Sequence, residues 1–214
     1  MESDPVTFRK YTPEDLQACT ALAREAWPLP PEIAAGVETG EMMSVWIGST
    51  VASSTYAEVA VDEHGVVGLL FGEVEGQKAL ERSRSTLGIE VQIMSRGLTG
   101  KYGDLIRTIR FMLGFFITEL KLLVNRPGTD AEISMLIVGQ AHRGRGLGKE
   151  LVDRFIEAAK KQGARSISLY TDDQTSNWRF YEAYGFRQVA KFHDNGSSYY
   201  AGKRSTALIY RLDL

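Results

Sequence analysis

Residues 131–155, "AEISMLIVGQAHRGRGLGKELVDRF", constrain this chain more than any other stretch. An apolar run ends at Gly139. A turn follows in which Arg143, Gly144, Arg145, Gly146, Leu147 and Gly148 stand in a row, and a helical pattern begins at once. Leu147, Leu151, Val152, Phe155, Ile156 and Ala159 give that helix one apolar face. In such a turn the backbone N–H groups converge, and glycine permits positive φ and a close approach by a ligand. The first helical turn adds unpaired N–H groups and the positive end of its dipole. Phosphate is the natural guest; a solvated helix start without a ligand is the alternative for the turn taken alone. A nucleoside triphosphate loop would need glycine where Arg143 stands and Ser or Thr where Glu150 stands. A dinucleotide turn would need G-x-G-x-x-G, whereas these glycines run G-x-G-x-G.

The surrounding pattern gives the fold class. "VTFRKY" reads as a strand. "TPEDLQACTALAREAW" reads as a helix capped by Thr12, with Pro13 at its first position and Asp15 in a capping box. "PPEIAAGVETGEMMSVWI" is a weaker helix, and "STYAEVAVDEHGVVGLLFGEVEG" is a pair of antiparallel strands around Glu63–Gly65. Residues 77–130 are helical in pattern, from "QKALERSRS" to "LIRTIRFMLGFFITELKLLV". After the glycine turn come strand "SISLYT", helix "SNWRFYEAYG", and strands "FRQVAKFH" and "STALIYRLDL". This alternation predicts an α/β fold with some parallel pairing. No linker divides residues 1–214, so one domain with a helical insertion at about 77–130 is expected.

Charge and composition exclude other classes. Lys and Arg number 25 against 27 Asp and Glu, which gives no general attraction to nucleic acid. The single cysteine, Cys19, lies in an apolar helical pattern and reads as a small buried hydrophobe. His64, His142 and His193 are far apart, so no metal site is expected. The most apolar stretch, "FMLGFFIT", is far short of the ~20 residues of a membrane helix. The N-terminus does not read as a signal peptide, and a cytoplasmic setting is expected.

The chain resembles the GNAT superfamily of acyl-CoA-dependent N-acetyltransferases. "RGRGLG" fits that family's R/Q-x-x-G-x-G/A turn, with Val138 five residues before the arginine. "NWRFYEAYGF" fits its later N-x-x-x-Y helix followed by G-F, through Asn177, Tyr181, Gly185 and Phe186. Gln140 departs from the pattern, since many members have proline there. The resemblance covers roughly residues 131–190. It implies a mixed, mostly antiparallel twisted sheet with helices on both faces. One parallel pair, here "ISMLIV" and "SISLYT", would splay apart. It also implies acetyl-CoA as cosubstrate, without a metal. The pyrophosphate would lie on Arg143–Gly148. The pantetheine arm would pair with the backbone of Leu136, Ile137 and Val138, and Asn177 would bond it from the far wall.

The implied reaction is attack of a primary amine on the thioester. An alkylamine of pKa ~10.4 is about 99.9% protonated at pH 7, so a general base is useful. The resemblance makes Glu132 the candidate base, because its spacing to Arg143 equals that of the catalytic glutamate in the family's histone-modifying branch. On a regular strand it would share a face with Ser134, Leu136 and Val138. Its alternative role is a structural ion pair, and Glu73 and Glu75 are rivals. Tyr181 is the candidate acid toward the thiolate, its alternative being a core aromatic. An oxyanion donor is expected in a backbone N–H near Val138. His142 is expected to face solvent or the phosphate.

The acceptor amine is not readable from these motifs. The apolar helix within 77–130 can pack over the sheet and wall the acceptor pocket, which is the expectation, or form a homodimer surface. A competing reading is a catalytically idle acyl-CoA-binding sensor or interaction module. Neither a nucleic-acid nor a membrane partner is expected.

Overall fold

A computed structural model of the chain describes residues 5–28, 39–77, 99 and 105–214. Strand β1 is Thr7–Lys10, and a 3-10 turn at Pro13–Asp15 leads into α1, Leu16–Ala26. The capping box forms as expected: the Asp15 carboxylate accepts the Thr12 N–H at 2.8 Å. Arg9 holds both Asp15 oxygens at 2.7 Å, which keeps that carboxyl below its ordinary pKa. Helix α2 spans Thr39–Ser53. Strands β2, Tyr56–Asp62, and β3, Gly65–Val74, form the expected hairpin, with Gly65 at φ +124°. Helix α3 is Leu105–Asn125. The helix expected at "QKALERSRS" lies outside the described residues.

The C-terminal half contains β4, Ala131–Val138; α4, Leu147–Lys161; and β5, Ser166–Asp172. Helix α5, Trp178–Tyr184, and strand β6, Arg187–Asp194, follow. Helix α6, Asn195–Ala201, and strand β7, Ser205–Asp213, complete it. The strands form one seven-stranded sheet in the order β1-β2-β3-β4-β5-β7-β6. Among the described residues only the β4–β5 pairing is parallel.

Both faces of the sheet are covered, as amphipathic helices and a two-sided sheet require. On the first face α4 buries Leu151, Val152, Phe155 and Ala159 against Leu70, Ile133, Ile167 and Tyr210. On the second face α1 and α2 bury Cys19, Leu22, Ala23 and Ile47 against Val59, Leu69, Phe71, Met135 and Ile137. Burial pushes the Cys19 thiol up to about 12, so it is a core hydrophobe and no nucleophile.

Two irregularities of β4 matter most. The first is a bulge. Phe71 is opposite Met135 while Gly72 is opposite Ile133, so Ser134 has no opposite number. Ile133 therefore belongs to the core of the first face and Met135 to that of the second, although they are two residues apart. Gly72 makes room here: a Cβ would stand 2.7 Å from the Phe155 ring and 2.8 Å from the Glu132 carbonyl oxygen. The second irregularity is a splay. β4 and β5 pair only at Ala131–Ile133 with Ile167–Leu169. Beyond that β4 stays with β3 as far as Val138, whereas β5 stays with β7 as far as Asp172. A slot opens between them, as expected for the strands "ISMLIV" and "SISLYT".

Helix α6 was not expected from the sequence. Its N-cap is Asp194, which accepts the Ser197 N–H at 2.9 Å, and Gly202 ends it at φ +64°. Asp194 is fully buried and also accepts hydrogen bonds from Tyr170 and, at 2.9 Å, from Thr118 of α3. Thr118 in turn accepts the N–H groups of Asn195 and Gly196 at 3.0 and 3.1 Å. One face of α3 is thus fastened to α6. No helix among the described residues is long and apolar enough to cross a membrane.

Candidate active site

The glycine turn sits at the mouth of the slot. Gly139 leads into a 3-10 turn at Gln140–His142, Arg143 is extended, and Gly144 and Gly146 follow at φ +76° and +83°. Gly146 is the N-cap of α4. The first helical bond runs from the Glu150 N–H to the Gly146 carbonyl at 3.0 Å. The N–H groups of Leu147, Gly148 and Lys149 therefore have no carbonyl within the helix. A Cβ on Gly144 or Gly146 would meet nothing within 4 Å, so the space in front of the turn is open. Arg145 and Arg143 are exposed beside it. Arg143 donates through Nε to the Val138 carbonyl at 3.0 Å, which anchors its guanidinium at the strand end.

Two contacts hold the turn against the rest of the sheet. Gln140 donates its N–H to Glu25 of α1 at 2.5 Å, a bond that proline could not make. His142, expected to face solvent or the phosphate, turns toward the end of β2. Its Nε2 lies 3.0 Å from Asp62, whose side chain is nearly buried at the end of β2.

Along the slot, backbone direction sorts the predicted contacts. Gly139 donates to the Val67 carbonyl on β3 at 2.9 Å. By strand alternation Ile137 also turns its polar backbone toward β3, and Leu136 and Val138 turn theirs toward the slot. Leu136 and Val138 therefore present backbone groups to the slot, and Ile137, named with them as a ligand contact, has its side chain buried under α1 and α2.

Helix α5 forms the other wall. A Cβ placed on Gly148 would stand 3.6 Å from its Phe180 ring and 3.7 Å from the Val138 side chain. Asn177 is the exposed N-cap residue of α5 but makes no side-chain capping bond. Its amide is not spent on its own helix. Tyr181 is half-buried between Phe180, Phe186 and Tyr210. Tyr56, Tyr170, Tyr184 and Tyr210 each donate to a carboxylate. The Tyr181 hydroxyl has no hydrogen-bond partner among the described residues. Burial alone pushes its pKa upward, so it holds its proton throughout the neutral range.

Glu132 lies one residue before the last β4–β5 pair, where the slot closes. The bulge overturns the face expected for it. Glu132 points to the second face, away from α4, while Leu136 and Val138 pack against the core of the first. It stands opposite Glu73 on β3 and beside Ser168 on β5. Arg126, just beyond α3, forms an ion pair with it. Burial raises the Glu132 pKa above the ordinary value; Arg126 opposes the shift and Glu73 adds to it. The ion pair that was its alternative role is formed, and burial works against it. Arg126 was missed from sequence because it reaches Glu132 only by the return of the chain through Pro127 and Gly128. Thr129 to Ser168 at 2.7 Å and Asp130 to the Arg165 N–H at 2.9 Å fix that return.

The base and acid candidates thus approach the slot from opposite faces of the sheet. Glu132 is on the second, and Tyr181 packs on the first. Among the described residues no group of three or more His, Cys, Asp or Glu side chains is placed to hold a metal ion.

Comparison with known proteins gives concordant results. Residues 100–186 match the model of the Acetyltransferase (GNAT) family. Among solved structures, the chain is similar to an N-acetyltransferase from Staphylococcus aureus Mu50, at 16% identity, 98% coverage of each chain and a TM-score of 0.56. It is similar to the PaiA N-acetyltransferase from Thermoplasma acidophilum in complex with coenzyme A, at 17% identity, 98% and 99% coverage and a TM-score of 0.54. It is also similar to the ribosomal-protein-S18-alanine N-acetyltransferase from Escherichia coli, at 14% identity, 98% and 94% coverage and a TM-score of 0.55. At these identities the likeness is one of fold. No curated protein matches the sequence.

Proposed function

We propose that this chain, which carries a GNAT acetyltransferase domain over residues 100–186 and has the fold of that family, transfers an acetyl group from acetyl-CoA to a primary amine. The observation that carries the reading is the slot. It begins where pairing ends at Ile133 and Leu169, is edged by the backbone of Leu136 and Val138, and leads to the unpaired N–H groups at the start of α4. From Glu132 to Val138 it runs ~20 Å at the rise of a strand. A diphosphate at one end, an amide-rich arm along the edge and a thioester at the closed end suit those three features in order.

The cosubstrate supplies an activated acyl group, and the chain supplies position and proton transfers. Leu147, Gly148 and Lys149 offer N–H groups to the diphosphate, with Arg143 and Arg145 beside them. Leu136 and Val138 align the arm, and Asn177 offers it an uncommitted amide. Glu132 accepts the proton that the amine must lose as its nitrogen bonds the acyl carbon. As the carbon–sulfur bond breaks, Tyr181 donates its proton to the departing sulfur. A strand N–H facing the slot can stabilise the charge that develops on the acyl oxygen.

The test is release of free CoA from acetyl-CoA across a panel of small amines, polyamines and peptide amines, alongside calorimetry with CoA. Amine-dependent release with CoA binding supports the transferase. Binding with no release across the panel supports the idle sensor instead, and no binding removes both.

A further inference from the structure

Helix α3 buries one face, through Gly114 and Thr118, against α6, and Lys121 fastens it further to His193 and Asn195 at 2.9 and 2.7 Å. The opposite face is also apolar. Ile106, Ile109, Leu113, Phe116, Leu120 and Leu123 follow one another at steps of three, four, three, four and three residues. All six are exposed, Ile106 at 64%, Phe116 at 60% and Leu123 at 72%. A helix that is apolar on two opposite sides is one built for two neighbours, and among the described residues α6 supplies one.

We propose that this stripe is a two-fold interface between two copies of the chain, α3 lying antiparallel to its counterpart. Alternating steps of three and four form a coiled-coil seam, which stays in register over about 26 Å. The order of steps is the same read from either end, so a reversed copy meets it layer for layer. Ile106 meets the partner's Leu123, Ile109 the partner's Leu120, and Leu113 the partner's Phe116. Such a self-matching surface is what a two-fold interface requires. The stripe offers on the order of 600 Å² of apolar surface per copy, at the top of the range for the largest patch on a typical monomer. Two copies would cover about 1,200 Å², enough for a stable interface of the smaller kind. A lipid surface would call for rows of Lys and Arg along both edges of the stripe; among the described side chains of α3 only Arg110 is an exposed Lys or Arg, and Lys121 is committed to α6.

The experiment is light scattering behind size exclusion on the full chain at tens of micromolar, with Leu113→Glu and Phe116→Glu. The expected result is twice the chain mass for the wild type and a single-chain mass for each variant, both still melting cooperatively. A monomeric wild type overturns the proposal, as does a dimer that survives both folded variants. If the variants do not fold, mixing L113C with F116C chains under mild oxidation decides. Cross-linking between the two chains faster than within either supports the antiparallel seam; like-with-like cross-linking overturns it. None of these readouts depends on turnover.

Discussion

Glu73 and Glu132 stand directly opposite each other across the β3–β4 ladder, with Arg126 holding only the second. Like charges opposed in this way are unfavourable, and burial deepens the penalty. The sign for catalysis follows. A base must be unprotonated, so the acid limb of kcat/KM should lie above the ordinary carboxylate value of 4.5. Glu73→Gln should move that limb to lower pH, and Arg126→Ala should move it higher. Glu132→Gln should remove it and lower the rate by roughly 10²–10⁴-fold. Rate profiles across pH for the three variants test this, and full activity in Glu132→Gln would refute the base assignment.

Stability should move the other way. Since folding raises the Glu132 pKa, the protonated form favours the fold at low pH, and that contribution is lost as pH rises through the folded value. Glu132→Gln should therefore melt no lower than wild type at pH 7. A clearly lower midpoint would mean that the Arg126 ion pair outweighs the cost of burial.

Tyr181→Phe should lower kcat by on the order of 10²-fold while CoA affinity stays nearly intact. Because burial raises the phenol pKa, the wild type should show no alkaline limb from this group up to pH 10. Pre-steady-state release of CoA reads the step directly.

Gly146→Trp should abolish CoA binding. The backbone there is left-handed at φ +83°, which costs a non-glycine residue about 1–2 kcal/mol. The new side chain must also occupy the open space before the turn. Calorimetry should detect no binding in a protein that remains folded by circular dichroism.

Asp194→Ala should be the most destabilising of these changes, by about 3 kcal/mol or more. It strands the buried Thr118 donor and the half-buried donors of Tyr170 and Ser197 together. Denaturant melts should show the loss, and Asp194→Asn should recover part of it.

Much of this was readable in the sequence, for local reasons. Thr12 and Asp15 form their cap from neighbouring residues, and the glycines of the turn declare their own conformation. The splay was legible only through the family resemblance. Other features depend on partners far along the chain. The Ser134 bulge needs Gly72 and the Phe155 ring, so strict alternation misassigned the face of Glu132. Helix α6 has the weak helix formers Asn195, Gly196, Ser197 and Ser198, and forms because Asp194 and Thr118 take up its first N–H groups. His142 looked free beside the turn because Asp62 lies 80 positions away in sequence.

On the proposed function, the extra residue in β4 also keeps the two reactants apart. It sets Glu132 toward one face of the sheet while Leu136 and Val138 pack on the other, so the amine and the carrier would come to the acyl carbon from opposite sides of the sheet.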